Sequence, residues 1–254
     1  MPTSPASEAA KELLNRRAND QQLGRLNQAI RPTTMEESFA IHDETIKQIE
    51  DSVGGWKCLL PLADDQFIAA PIFADTVRRD KKCKIIPDKG LARIEPEIAF
   101  VLAKDIPARK EGYSKEQVDA AVGNCHMALE LMKSRFAPDS DADFYEKVAD
   151  CLVNQGLYLG PVIDKELAYN ANTIAIKVTQ NEVTTDYAGV HPNGLAPKPL
   201  HWLIDTMTKR GVSFTKGQAI ITGSFAGIIE VDLEAECEIE YVGMDKYNVS
   251  FIPA

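Results

Sequence analysis

Two glutamates stand two residues apart inside an apolar run. The segment reads ARIEPEIAFVL over residues 92–102, with Glu95 and Glu97 separated by Pro96. In a strand, side chains two apart share a face, so both carboxylates point one way and Pro96 points the other. Pro96 also removes a ladder donor, which predicts a sheet edge or a bulge, and bulges favour active-site rims. Taken alone, an E-x-E pair is also what a solvated strand face looks like. A third acid, Glu130, lies inside the apolar strand-like stretch CHMALELM. Burying an unpaired carboxylate is costly, and three converging without compensation would be worse. A divalent cation removes the difficulty. Hard oxygen ligands in a partly hydrated octahedron suit Mg²⁺ or Mn²⁺ and leave positions at which a substrate could chelate. Spacing alone leaves open whether Glu130 meets the other two.

Other residues could do chemistry. GGWKCLL places Lys57 in an apolar strand after a glycine pair. A lysine there either snorkels from a strand end or, desolvated beside an anionic substrate, supplies charge or a proton. Asp75 follows the apolar run of APIFADTV, a place usually held by a turn residue. Thr222, Gly223 and Ser224 follow a strand in ITGSFAG, where backbone N–H groups could meet an anion. The four histidines, at 42, 126, 191 and 201, show no metal spacing, and His126 reads as structural. There is no G-x-S-x-G elbow, Walker loop or G-x-G-x-x-G.

These residues need elements to position them. Helices are expected over about 6–18, with Ala9, Leu13 and Leu14 on one side, and from Thr34, where Glu37 completes a capping box. Phe39, Ile46 and Ile49 continue at helical spacing until VGGW breaks the pattern. Ser114 and Gln117 cap a short helix through Val122, and FYEKVADCL reads as a helical turn. A further helix spans Pro199 to Lys209, with Gly211 placed to end it. WKCLL, FIAAPIF, KCKIIP, EIAFVL, HMALELM, LYLGPVI, TIAIKVT, QAIITG, CEIEYVG and YNVSFI read as strands. Strands outnumber βαβ units, which favours a mixed, largely antiparallel α+β architecture over a Rossmann fold. The expected division is an N-terminal helical segment, 1–54, packed on a β-rich catalytic core, 55–254.

The chain has 254 residues, 44% hydrophobic and 26% charged, enough for a sizeable core. A net charge of −10 without a basic stripe makes nucleic acid an unexpected partner. No apolar run approaches a membrane span, and the first residues lack the charged-then-apolar order of a signal peptide. Five cysteines without a C-x-x-C pair fit reduced thiols, so a cytoplasmic location is expected.

In this order the pieces resemble the 2-keto-4-pentenoate hydratase and 4-oxalocrotonate decarboxylase family of the fumarylacetoacetate hydrolase superfamily, over nearly the whole chain. RLNQAIRPTTMEESFAIHD is similar to the family's N-terminal helix pair, GGWK to its Gly-Tyr-Lys segment, and IFADTV to its Phe-Asp/Ala-Asp-Met segment. RIEPEIAFVLAKDIP is the most specific match, followed by ALELMKSRF and ITGS. The resemblance implies a roll-like β core, an oligomer, catalytic Lys57 and Asp75, and a Mg²⁺ or Mn²⁺ held by Glu95, Glu97 and Glu130. It also implies substrate contacts from Ser134, Arg135, Asn154, Thr222, Gly223 and Ser224. The sequence departs from the family after Lys57, in ADCLVNQG (149–156) against Ala-Asp-Asn-Ala-Ser-Ser/Cys-Gly, and in GLAPKPL (194–200) against Gly-His-Pro-Leu-Asn. These departures are expected to alter the far end of the substrate pocket.

The implied activity is hydration of a 2-hydroxy-2,4-dienoate to a 4-hydroxy-2-oxo acid in catabolism of aromatic-derived compounds. A 4-oxalocrotonate-type decarboxylase is the nearest rival, and an acylpyruvate or fumarylacetoacetate-type C–C hydrolase the next. A non-catalytic partner subunit is the reading from a different class, and metal binding with a response to oxalate separates it from an enzyme.

Overall fold

The computed structural model describes residues 3–63 and 66–254, so Met1 and Pro2 of the expected N-terminal segment lie outside the described residues. The first helix is Pro5–Ala18. The Ser4 hydroxyl accepts from the Ser7 N–H, and Pro5 occupies a position where no N–H is needed. Its Ala9, Ala10 and Leu13 bury against Leu26, Ile41 and Phe136, while Leu14 is only half-buried.

The second helix, Met35–Gln48, starts from Thr34, whose hydroxyl accepts from Glu37 N at 3.2 Å. The expected box is half formed. The Glu37 carboxylate reaches Thr33 N at 2.6 Å instead of the cap's own N–H. The helix stops before the glycine pair, because Ile49 already adopts an extended conformation. The Ser114–Gln117 box forms completely but serves a shorter helix, Lys115–Asp119, since Val122 opens a strand.

The strands form two sheets. The eight-stranded one runs in the order Gln66–Phe73, Val53–Ala63, Ala219–Ile221, Leu91–Leu102, Val122–Met132, Asn154–Ile163 and Val77–Arg78, with Ile229–Asp232 also paired to Leu91–Leu102. The other has Lys82–Ile85, Asp245–Pro253, Glu236–Tyr241, Thr173–Gln180 and Val183–Val190. Pairing is antiparallel except between 53–63 and 219–221, between 77–78 and 154–163, and between 82–85 and 245–253. The architecture is mixed α+β and largely antiparallel.

Pro96 corrects the expected edge or bulge. Its strand lies inside the sheet, and its register with the 122–132 strand is regular, Pro96 facing Leu129. On the opposite side, residues 99–101 pair with Ala219–Ile221 and residues 91–94 with Ile229–Asp232, which leaves a gap at 95–98. The Pro96 carbonyl accepts from Phe225 N across that gap. A residue's N–H and C=O point to one side of a strand, so the missing donor falls where no strand needs it.

The two faces of the large sheet differ. Ile98, Phe100, Met127, Leu129 and Ile220 enter the main core. The opposite face carries a smaller cluster of Ile72, Ala99, Ala128, Leu157, Leu159, Ala219 and Ile221. By the two-residue period, Glu95, Glu97 and Glu130 belong to this second face. The helix expected from Pro199 starts at Pro197 and runs to Lys209, and Gly211 follows at φ +95°. Among the described residues no helix is long and apolar enough to cross a membrane. Cys58, Cys83, Cys125, Cys151 and Cys237 are buried free thiols.

Candidate metal and catalytic site

Register brings the acids together. Glu95 lies directly opposite Glu130 across the 91–102 and 122–132 pair, and Glu97 is opposite Ala128, one diagonal step away. Oxygens of the three carboxylates lie within 4.8 Å of one another. Glu130 and Glu97 are buried, while Glu95 is half-buried. Lys57 joins them from the 53–63 strand, which reaches this face through its parallel pairing of Lys57 with Ile221. Its Nζ donates to Glu130 Oε1 at 2.6 Å and to the Leu152 carbonyl at 3.1 Å.

The cluster floors a cavity of about 370 Å³. Leu59, Ile68, Leu152 and Pro192 make apolar walls, and Gly223 and Ser224 close one side. The Gly223 N–H donates to Glu97 Oε2 at 2.5 Å. Gly223 has φ +122°, and a side chain there would come within 2.5 Å of Leu59 and 3.0 Å of Pro192, so only glycine brings this N–H to the carboxylate.

The electrostatics are those of acids short of cations. Burial first, then the charge of Glu130, pushes Glu95 up to about 7. Burial and the neighbouring Glu130 and Glu95 push Glu97 well above the usual carboxylate range, against the opposing pull of the Gly223 N–H and Lys57. Burial by itself would lower Lys57, but Glu130, Glu95 and Glu97 outweigh it and hold the ammonium above its ordinary value. One ammonium among three carboxylates leaves two negative charges unbalanced, the charge of a divalent cation. Glu130 Oε2 is buried without a hydrogen-bond partner. A buried bare carboxylate oxygen among others is what a hard cation's ligand set provides, so the residues fit Mg²⁺ or Mn²⁺.

Other expected site residues fall elsewhere. Asp75 is exposed on the short turn Ala74–Thr76, with its N–H held by Asp51, and it does not line the cavity. Lys57 is oriented by Glu130 and the Leu152 carbonyl. Ser134 turns its hydroxyl to the Phe136 carbonyl and lines a different cleft. Arg135 is buried and commits its guanidinium to Asp150 and to the carbonyls of Lys133, Asp150 and Asn154. A guanidinium so engaged has no fork left for a substrate carboxylate.

Asn154 reaches the cluster but not the cavity: its amide donates to Glu130 Oε1 at 3.0 Å and to the Gly156 carbonyl at 3.1 Å. The Thr222 hydroxyl is buried and unpaired, while that of Ser224, on the cavity side, donates to the Pro96 and Gly227 carbonyls. Of the three departing segments, the one after Lys57 brings Cys58 and Leu59 to the cavity, 149–156 brings Leu152, and none of residues 194–200 lines it. Sequence reasoning missed Leu59, Ile68 and Pro192. Leu59 could have been found two residues from Lys57 on the same face, and Ile68 is its cross-strand partner. Pro192 gives no local signal.

No protein-family model matches the chain. Among curated proteins it is similar to the 2-keto-4-pentenoate hydratase of Paraburkholderia phymatum, 26% identical over 183 residues, covering 71% of this chain and 68% of that protein. The 2-keto-4-pentenoate hydratase of Burkholderia vietnamiensis is 25% identical over 161 residues, 63% of this chain and 60% of that protein. The 2-oxo-hept-4-ene-1,7-dioate hydratase of Escherichia coli is 30% identical over 173 residues, 63% of this chain and 61% of that protein. The last two matches thus span less than two thirds of those relatives' own length. Among solved structures, 4-oxalocrotonate decarboxylase from Pseudomonas putida G7, complexed with calcium and acetate, superposes with a TM-score of 0.78 over 99% of each chain at 18% identity. A fumarylacetoacetate hydrolase family protein from yeast superposes with a TM-score of 0.54 over 82% of this chain and 95% of its own, at 14% identity. At these identities the structural likeness concerns the fold.

Proposed function

We propose, from the premise that this chain belongs to the 2-keto-4-pentenoate hydratase and 4-oxalocrotonate decarboxylase family of the fumarylacetoacetate hydrolase superfamily, that it is a metal-dependent hydro-lyase. Its substrate is a 2-hydroxy-2,4-dienoate and its product a 4-hydroxy-2-oxo acid. The observation that carries this reading is the convergence of Glu95, Glu97 and Glu130 with Lys57 on the floor of an apolar-walled cavity. The names of the sequence relatives support hydration over the other reactions of the family.

Glu95, Glu97 and Glu130 would hold Mg²⁺ or Mn²⁺, which when bound supplies Lewis-acid stabilisation of negative charge on the substrate's C2 oxygen. The chain's own residues do the rest. Without a metal, the surrounding carboxylates hold the Lys57 ammonium above its ordinary value. Its role in this scheme is to supply positive charge or relay a proton at the metal-binding end of the substrate. Two of its N–H bonds are committed to Glu130 and Leu152, and the third is left for the cavity. Ketonisation moves the enol proton to the far carbon of the diene. Water then adds across the remaining double bond, oxygen to C4 and proton to C3. Asp75 takes no part in this scheme. Leu59, Ile68, Leu152 and Pro192 offer the substrate tail no hydrogen-bond donors, so selectivity is expected to favour alkyl-substituted dienoates over the unsubstituted pentadienoate.

The test is a panel assayed with Mg²⁺ and with Mn²⁺: short and alkyl-substituted 2-hydroxydienoates, 4-oxalocrotonate, acylpyruvates and oxaloacetate. Metal-dependent loss of the dienoate chromophore with formation of a 4-hydroxy-2-oxo acid is expected. Release of CO₂ from 4-oxalocrotonate without hydration would assign the decarboxylase instead. No turnover of any member by a protein that binds metal would favour a partner subunit.

A further inference from the structure

Residues 151–153 break a backbone rule. Cys151, Leu152 and Val153 have φ of +57°, +52° and +61° in succession. The left-handed region is unfavourable for a residue with a side chain, and it is an outlier for a β-branched one. Such a run persists only where its surroundings impose it. Here Arg135 does so. It donates to the Asp150 carboxylate at 2.8 Å and to the Asp150 carbonyl at one end of the turn, and to the Asn154 carbonyl at 2.8 Å at the other. Lys133 N adds a 2.7 Å bond to the Val153 carbonyl, and Arg17 a 3.0 Å bond to that of Asn154.

Two groups from this turn reach the carboxylate cluster. The Leu152 carbonyl takes one N–H of Lys57 at 3.1 Å. The Asn154 amide takes Glu130 Oε1 at 3.0 Å, the same oxygen that Lys57 holds at 2.6 Å. Glu130 Oε2 is left buried and bare.

We propose that the 151–154 turn, stapled by Arg135, is the positioning device of this site, and that Asn154 decides which oxygen of Glu130 is presented to the cation. The turn secures both partners of the Lys57–Glu130 pair. Oε1 is taken by two donors, Oε2 is the oxygen left for the metal, and one N–H of Lys57 stays directed at the cavity. Asn154 is thus a positioning residue acting through Glu130. The inference rests on the metal-site reading above.

The test uses Mn²⁺ titrated into the intact protein by calorimetry, with metal-free melting recorded in parallel. Asn154→Ala is expected to bind Mn²⁺ about 10–100-fold more weakly than wild type, the usual cost of losing a group that orients a ligand. Asn154→Ser, whose hydroxyl is too short for both acceptors but keeps a polar group, is expected to show the same loss and serves if the alanine variant does not fold. A folded variant with Mn²⁺ affinity within about twofold of wild type overturns the role of Asn154. Wild-type protein that binds no Mn²⁺ overturns the metal-site reading itself, which keeps the two failures apart. Wild-type crystals soaked in Mn²⁺ give a readout that needs no variant. The ion is expected on Oε2 with Asn154 still on Oε1, and an ion on Oε1 with the amide displaced overturns the proposal.

Discussion

Glu97 and Lys57 show how burial changes what a substitution tests. Glu97 is buried, and burial together with Glu130 and Glu95 pushes it well above the usual carboxylate range, so the metal-free protein favours its neutral form more than water does. Glutamine copies a protonated glutamate in shape and can still accept the Gly223 N–H. Glu97→Gln should therefore leave metal-free stability intact while removing an anionic ligand. Its melting temperature is expected to become insensitive to Mn²⁺, and a wild-type response would refute Glu97 as a ligand. Read as a snorkelling or catalytic side chain, Lys57 could be removed with little effect on folding. The structure makes it one half of a buried ion pair, with the side chains of Lys57 and Glu130 12% and 1% exposed. Breaking such a pair from one side costs about 3–5 kcal/mol. Lys57→Met is expected to lose that stability without metal and recover part of it with Mn²⁺, which it should bind more tightly for want of a repelling charge. Turnover should fall by about 10²–10⁴. Calorimetry, melting and a rate assay on one preparation check all three.

At the scale of elements, most strands were readable because their apolar residues alternate or run together. Val183–Val190 was not, because nearly all its residues are exposed and its sequence carries no apolar face. The helix ends were predicted within a few residues, and the disagreements arose where backbone geometry, not periodicity, decided: Ile49 turning extended, Val122 joining a sheet. The helical turn expected over FYEKVADCL reaches Leu152, whereas the helix Phe144–Ala149 ends before the 151–153 turn. Its left-handed backbone follows from Arg135 bonding both ends, a contact no local pattern announces. Val153 is the residue least suited to this backbone and asparagine tolerates it better. Val153→Asn is expected to raise the melting temperature, by the equivalent of about 1 kcal/mol, although it trims a half-buried apolar side chain. A fall in melting temperature would show that packing of Val153 outweighs the backbone strain.

At the scale of the whole molecule, the N-terminal helices are tied to the core through specific polar contacts as well as apolar ones. His42, on Met35–Gln48, meets the Val148 carbonyl at 2.6 Å, and burial pushes its pKa down to about 4. The unfolded chain takes up a proton near pH 6.5, while the folded one refuses it until about 4. Stability from this group is thus present above pH 6.5 and is lost as pH falls toward 4, by about 3 kcal/mol for a shift of this size. His42→Gln keeps a donor for Val148 but cannot titrate. Its urea-unfolding stability should change less than that of wild type between pH 7 and pH 4.5. Equal slopes would mean that His42 does not report this docking.

The residues that could do chemistry were visible at once where the rule was local. The two-residue strand period put Glu95 and Glu97 on one face. The placement of Gly223 between Thr222 and Ser224 marked a loop with free N–H groups, and Lys57 stood out in an apolar strand. The resemblance to a known family then supplied a grouping that these rules left open. Tertiary structure decided what depends on register between strands far apart in the chain. It set Glu130 opposite Glu95, left Pro96 facing a gap inside the sheet instead of an edge, and put Asp75 out in solvent. It also set Arg135 against Asp150 and the Asn154 carbonyl, and the Asn154 amide against Glu130. Periodicity reports which way a side chain points relative to its own strand. Which distant group it meets there is settled only when the strands pair and the sheet closes over the carboxylates.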